Sequence, residues 1–502
     1  MLKQPFIFFS VLLLIFSLPA VAQNKDLTIN ADNVSFDREN NIVEAAGSVE
    51  VVYRDVTILG NYLVYNTELN KAWADRGFIL SYGDVSIEGE TLEYEIKTKA
   101  GSATDVSFDY LGIELSGKRI ELKAEEFELG DASFTTCDIG QPHYRVTAAD
   151  INFYPKYGWL VAYWGYFWLG PFPVVPMPTY IYDMRAEERA RRNIPPFPEI
   201  GSNDEDGTYV NERLAWHIRR ELSGSYSITY ATKKGLGGGV EADYIHHEDS
   251  QGNARFYYNG TDGPFGGITH SLFFGQEVAG DSNAPFAFLT LPKQRQYQFD
   301  TTFSYHERIN YERVSFFPNL VLKSRAGKIL LDEANLDLEL TAGLVSEMAT
   351  ARLARGGGKL EFYWDFPEAF FGDLTPALGV DGRYYSNGTR WVKTTGGLGL
   401  TKVFPQQVVL GLGYLHYFSV EGVSPFNFEM YRFNSADRLT SDLSFMVGET
   451  GVGVSTSHFF ATGQPEDIDY SLLFKMHCYN LLVKYRSLRR EFQLGFSLSG
   501  VN

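Results

Sequence analysis

From residue 25 onward the apolar residues recur at every second position. Val49, Val51 and Tyr53 form one such series. Val85 and Ile87 form another, and Leu92, Tyr94 and Ile96 a third. A period of two places each series on one face of a strand. A longer repeat lies over this one. Val56-Thr57-Ile58-Leu59-Gly60, Val85-Ser86-Ile87-Glu88-Gly89 and Ile113-Glu114-Leu115-Ser116-Gly117 bring their glycines 29 and 28 residues apart. A period of this size in strand-patterned sequence predicts stacked hairpin units. The units predict a twisted slab or jelly roll with one continuous apolar inner face. On pattern alone that face reads as an ordinary packed core.

Residues 205–499 follow a different rule. In the last strand Phe492, Leu494, Phe496 and Leu498 point one way, and Glu491, Gln493, Gly495 and Ser497 point the other. Glu241–Ile245 and Gly411–Tyr417 alternate in the same manner. Strands of about ten residues, apolar on one face and small or charged on the other, predict a closed transmembrane barrel. Lipid offers no hydrogen bonds, so a sheet that spans it must close. A soluble sandwich or β-helix is the competing arrangement. Between the two regions, Trp159, Trp164 and Trp168 precede Pro171, Pro173, Pro176 and Pro178, and the basic run Arg185, Arg189, Arg191 and Arg192 follows. Proline cannot donate to a ladder, so these positions belong at edges or weakened pairings. The basic run reads as a solvated turn.

Composition narrows the class. Aromatic residues make up 15% of the 502, and there are 48 glycines, which excludes a disordered chain. Acidic residues outnumber basic ones 62 to 44, for a net charge of −18, which argues against nucleic acid as a partner. Two cysteines are too few for a disulfide scaffold. Residues 1–22 read as a secretory leader: Lys3, an apolar run from Phe6 to Leu18, and Ala20-Val21-Ala22 as the cut site. Export places Cys137 and Cys478 where disulfides persist.

Catalytic motifs are missing. Gly356-Gly357-Gly358-Lys359 lacks the spacing and hydroxyl of a phosphate loop. Asn203–Gly207 could hold calcium weakly but reads as an acidic turn. His246-His247-Glu248-Asp249 reads as a hairpin tip, and His477-Cys478 is too small a cluster for zinc. The expectation is no enzyme, no cofactor and no metal.

Four segments carry a family resemblance. Ala31-Asp32-Asn33-Val34-Ser35-Phe36 through Ala45-Ala46-Gly47-Ser48-Val49 resembles the periplasmic domain of the outer-membrane lipopolysaccharide-assembly (LptD, organic-solvent-tolerance) family. Ala132–Cys137 resembles the cysteine segment closing that domain. Gly170–Tyr180 resembles the proline-bearing first barrel strand. Lys475–Asn480 with Tyr485-Arg486 and Arg490-Glu491-Phe492 resembles the cysteine segment near the barrel's end. The resemblance implies an all-β chain: leader 1–22, a periplasmic OstA-like jelly roll over 23–150, a connector over 151–171 and an outer-membrane barrel over 172–502. At about 15–18 residues per strand and turn, the barrel has room for roughly 18–22 strands.

The family's function then enters as expectation. The chain receives lipopolysaccharide in the periplasm and inserts it in the outer leaflet through a lateral gate. Val49, Val51, Ile58, Leu63, Phe78, Leu80, Val85, Ile87, Leu92, Leu115 and Phe134 become candidates for a lipid groove. Pro173 and Pro178, with Phe492, Leu494 and Phe496 opposite, become candidates for the gate. Cys137 and Cys478 become candidates for a bridge. An LptA-like periplasmic bridge protein would dock by β-augmentation, and an LptE-like lipoprotein is a possible plug. The family barrel is larger, with about 26 strands, and the family has four cysteines, so the plug is the weakest expectation. Two other classes compete: a passive outer-membrane channel with a docking domain, and a secreted β-helical carbohydrate enzyme, for which no carboxylate pair stands out.

Overall fold

The computed structural model describes residues 27–498 apart from 84, 124, 138–139, 184–196, 220, 248, 278–294, 325–326, 329–333, 349, 370, 432 and 461. The expected leader and the basic run 185–192 lie outside the described residues. The chain folds as two compact units, 1–98 and 99–502.

The first unit is all strand. Asn33–Asp37, Ile42–Tyr53, Val56–Asn66, Lys71–Ala74, Phe78–Tyr82, Val85–Gly89 and Thr91–Glu95 are its main elements. Register explains the repeat. Val51 faces Ile58, Ile58 faces Leu80 and Leu80 faces Ile87 across successive antiparallel pairs. A second ladder runs Ala45, Leu63, Ala74, Leu92. Strand Val56–Asn66 serves both ladders because it changes partner at Gly60. Its first half pairs with Phe78–Tyr82 and its second half with Lys71–Ala74. The buried parity changes there too, from Val56 and Ile58 to Leu63 and Tyr65.

The second unit begins with more of the same: Ala100–Tyr110, Ile113–Leu122, Phe127–Thr135, Tyr144–Tyr154, Trp159–Leu169 and Phe172–Asp183. Its ladders are Phe108, Leu115, Phe134, Val146, Phe167, Val175 and Ala103, Ile120, Leu129, Ile151, Ala162, Tyr180. Each long strand again switches parity midway. The switch falls on left-handed residues in three of them: Asp105 (φ 49°), Asp131 (φ 47°) and Trp164 (φ 54°). At each of them the ladder skips one position on both strands without losing register, as between the Gly117–Val106 and Arg119–Thr104 pairs, so the paired strands change parity together.

The closed barrel starts at Glu199, not at 172. It has twenty strand segments, of which Gly327–Lys328 and Phe366–Ala369 are short pieces bypassed by direct pairing of their neighbours, leaving an 18-strand antiparallel wall. The expected connector 151–171 and the proline strand instead extend the slab. Phe172–Asp183 ends the slab's strand path, with Trp159–Leu169 as its one ladder partner among the described residues. That edge position is why its prolines are tolerated.

The barrel wall is inverted relative to the slab. Tyr226, Ile228, Tyr230, Leu378 and Val380 are exposed on the outside, while Ser223 and Ser225 are buried. Charged side chains face the lumen in pairs, such as Arg213 with Glu241 at 3.3 Å and Lys393 with Asp381 at 2.8 Å. The acidic turn at Asn203–Gly207 is answered by cations: Asp206 meets Lys234 at 2.8 Å and Arg308 at 3.4 Å. One loop folds inward. Its short helix Asn427–Met430 (α1) receives its cap from Glu347, which accepts from the Asn427 and Phe428 N–H groups at 2.8 and 3.0 Å. Glu429 on α1 then binds Arg355 and Arg383 at 2.6 and 2.8 Å.

Candidate functional site: the barrel seam and the sheet end against it

The barrel closes where Glu199–Asn203 meets Glu491–Leu498. Three pairs hold this closure: Ile200 with Leu494, Gly201 with Gln493 and Ser202 with Phe492. The neighbouring pair, Tyr479–Arg486 with Glu491–Leu498, runs over eight. Continuing the seam register places Pro198 opposite Phe496. Proline has no N–H to extend the ladder, and the recorded pairing stops short of it. The lumenal side adds one clasp. Glu199 accepts from Tyr209 at 3.1 Å on one side and from Gln493 at 3.0 Å on the other. Glu199 and Tyr209 also line a lumenal cavity of about 300 Å³ with Lys234, Arg308 and Arg313.

Below the short strand the barrel edge is taken over by the slab. Strand Gly207–Arg219 runs on past its last pairing with Glu199 at Asn211. There Ala215 packs with Trp159, Val161 and Ile181 of the slab. The His217 ring lies 5.4 Å from Trp159 and 6.3 Å from Tyr163. On the other side of the seam, Phe167 stands 5.2 Å from Phe197 and 6.2 Å from Phe496. Phe197 and Phe496 are 4.7 Å apart. The last slab hairpin therefore touches both margins of the seam, and the ladder Leu115, Phe134, Val146, Phe167 ends on it. The opposite face of the hairpin exposes Trp164 (74%), Tyr166, Phe172 and Val174.

The predicted gate residues separate. Phe492 and Leu494 are in the seam, and Phe496 is at its foot. Pro173 and Pro178 are on the slab's edge strand, Pro173 paired with Trp168 and Pro178 lying between the Gly165–Met177 and Tyr163–Thr179 pairs. The proline bordering the seam is Pro198, followed directly by the short strand. Its signal was visible as Pro195-Pro196-Phe197-Pro198 but was outweighed by the longer proline series upstream. The eleven predicted groove residues are all at most 5% exposed.

Cys137 and Cys478 are joined in a disulfide with Cα atoms 5.2 Å apart, within the normal range. Cys137 is positioned by its own strand end. Its N–H donates to Thr135 Oγ1 at 3.1 Å, and that hydroxyl donates to the Tyr144 carbonyl at 2.7 Å. Thr136 Oγ1 lies 2.6 Å from the Tyr144 hydroxyl, and burial pushes that phenol's pKa well up. Cys478 sits in the tight turn between strands Gln464–Lys475 and Tyr479–Arg486, closed by the Met476 N–H to Tyr479 carbonyl bond at 2.9 Å. The bridge ties the slab portion of this unit to the same barrel end as the foot of the seam. It also gathers two histidines that sequence reasoning kept apart. His477 Nδ1 is 3.2 Å and His143 Nδ1 3.5 Å from Cys478 Sγ.

No protein-family profile matches the chain. Among curated proteins it is similar to the LPS-assembly protein LptD of Pseudoalteromonas atlantica, at 23% identity over 230 residues, 43% of this chain and 29% of that protein. The LptD of Haemophilus influenzae gives 22% over 227 residues, 43% and 28%. That of Thiobacillus denitrificans gives 27% over 114 residues, 22% and 16%. Each match thus spans less than a third of the relative's own length. Among solved structures, the translocation pore of the P pilus usher PapC covers 93% of this chain and 97% of its own at 8% identity. Its TM-score of 0.24 is too low to carry an argument. The chain, a repeat-built β domain followed by an antiparallel barrel, is thus similar over about two fifths of its length to LPS-assembly proteins named LptD.

Proposed function

We propose that this chain is a non-catalytic outer-membrane protein that assembles lipopolysaccharide into the outer leaflet. The lipid's acyl chains travel along the slab's apolar ladders and leave through the seam between Glu199–Asn203 and Glu491–Leu498. One observation carries this reading: the ladder Leu115, Phe134, Val146, Phe167 abuts Phe197 and Phe496 at the foot of the weakest pairing in the wall. Each methylene kept from water is worth about 0.8 kcal/mol, so a dozen-carbon chain faces a barrier of roughly 10 kcal/mol without an apolar track. Opening three pairs is a small demand by comparison.

The partner expectations rest on the first unit and on the lumen. Strand Asn33–Asp37 pairs with Ile42–Ala46, and it exposes Val34 and Phe36, each at 52%. An edge of this kind suits β-augmentation by a periplasmic bridge protein. The inward loop around α1 fills space that a plug lipoprotein would need, so a lipoprotein partner is the less favoured part of this reading.

The test locks the seam. Ile200→Cys with Leu494→Cys joins directly paired residues. Oxidation is expected to stop labelled lipopolysaccharide from reaching the surface, while a photo-crosslinker at position 167 still captures it. Unchanged surface delivery through the locked seam would sink the proposal.

A further inference from the structure

The disulfide and its two histidines form a four-donor set. Cys137, His143, His477 and Cys478 offer one ligand atom each, all within 4.8 Å of one another. The cysteines are buried and the histidines exposed. The His143 and His477 rings meet edge to face at 5.6 Å. Cys137 and His143 come from the slab portion, and His477 and Cys478 from a barrel turn. Neither sequence segment holds a metal motif, and only folding combines them.

We propose that the dithiol form of this cluster is a Cys2His2 site for zinc, and that disulfide and metal are alternative clasps at one place. A tetrahedral zinc ion holds sulfur at about 2.3 Å and imidazole nitrogen at about 2.0–2.1 Å. That requires donor-to-donor distances of about 3.3–3.8 Å. The imidazole donors need to close by about 1.5 Å at most. The exposed imidazoles can rotate to do so, and the sulfurs must part from bonding distance. His477 and Cys478 are adjacent in sequence, yet the turn already brings their ligand atoms to 3.2 Å.

The chemistry balances in two steps. A dithiol reductant gives two electrons and two protons to the disulfide, yielding two thiols and its own cyclic disulfide. Zinc then replaces the two thiol protons, which are released, and the two neutral imidazoles complete the shell. Oxidation of the two thiolates by a disulfide oxidant expels the metal. In a newly exported chain the zinc form holds residues 137 and 478 together before the bridge is made, and shields both thiols from wrong pairing.

The experiment uses the full chain without a histidine tag, in detergent, reduced with dithiothreitol and desalted without oxygen. Heat-modifiable migration verifies that the barrel is intact. One zinc per chain is expected in the reduced protein and none in the oxidised protein. Cobalt is expected to give thiolate charge-transfer and tetrahedral ligand-field bands. His143→Ala and His477→Ala should each weaken zinc binding by roughly tenfold or more. In membrane vesicles, where the barrel stays in its bilayer, zinc should protect both reduced thiols from maleimide. An intact reduced barrel that takes up no zinc overturns the proposal. So does equal uptake by the oxidised chain, uptake unchanged in the double histidine variant, or thiols in vesicles that zinc leaves unprotected.

Discussion

The slab and the barrel are written in the same period of two and solve opposite problems with it. In the slab, Val51, Ile58, Leu80 and Ile87 face one another and are lost to solvent. In the barrel, Tyr226, Ile228 and Tyr230 stand on the exposed face, and Ser223 and Ser225 are the buried ones. Alternation determines which residues share a face. It does not determine whether that face meets protein or lipid. The two regions also stop their strands differently. Slab strands change their buried parity in mid-course, at left-handed residues in three of them, whereas the barrel's sheet is closed by one short strand bordered by Pro198.

The largest test of this contrast is the link between them within the second unit. Cys137→Ser removes a bridge that closes a separation of 341 residues. Chain entropy alone assigns such a loop about 5–6 kcal/mol. Thermal unfolding should fall steeply and lose its sensitivity to reductant; an unchanged transition would deny the bridge any role in holding slab to wall. Next is Glu429→Ala in the inward loop. It leaves the nearly buried Arg355 with Asn319 as its remaining side-chain hydrogen-bond partner. Breaking a buried pair in this way costs about 3–5 kcal/mol, and planar-bilayer conductance should rise as the loop loosens.

The third test applies one kind of change to both regions. Ile58→Ala, at a fully buried slab site, should cost about 2–5 kcal/mol in denaturant titration. Leu378→Ala, on the exposed barrel face at mid-strand, should cost far less. Leu378→Arg should cost about 2–4 kcal/mol in folding into bilayers and little in water-exposed settings. Equal costs for the two alanine variants would erase the distinction between packed core and lipid-facing wall. The smallest effect is expected from Pro173→Ala with Pro178→Ala. These prolines border the slab hairpin, so cross-linking between cysteines at 200 and 494 should proceed at its usual yield.

Much of the architecture was legible early. The 29-residue repeat announced the slab because each unit needs its neighbours to bury its apolar face. Phe492 and Leu494 were placed on the outer face of the closing strand by simple alternation. The start of the barrel was misread because a proline-bearing strand is equally at home on a slab edge and in a weak barrel seam. Local sequence is the same in both; only its hydrogen-bond partner differs. The groove candidates are all buried. Their burial depends on which strands pair with which, which the local pattern does not give.

The zinc expectation shows the same limit from another side. His477-Cys478 alone reads as too small a cluster for a metal, and Cys137 and His143 carry no motif. What the sequence determined by itself is the alphabet of strands: which residues alternate, where prolines bar a ladder, and that the apolar content is too large for a solvated chain. Tertiary structure decided which strand closes the barrel, which side of each strand is buried, and which donors stand together at the bridge. The reason is physical. Alternation and proline act through the backbone over a few residues. Pairing, burial and coordination are made between residues whose separation in the chain, 341 positions at the disulfide, holds no local trace.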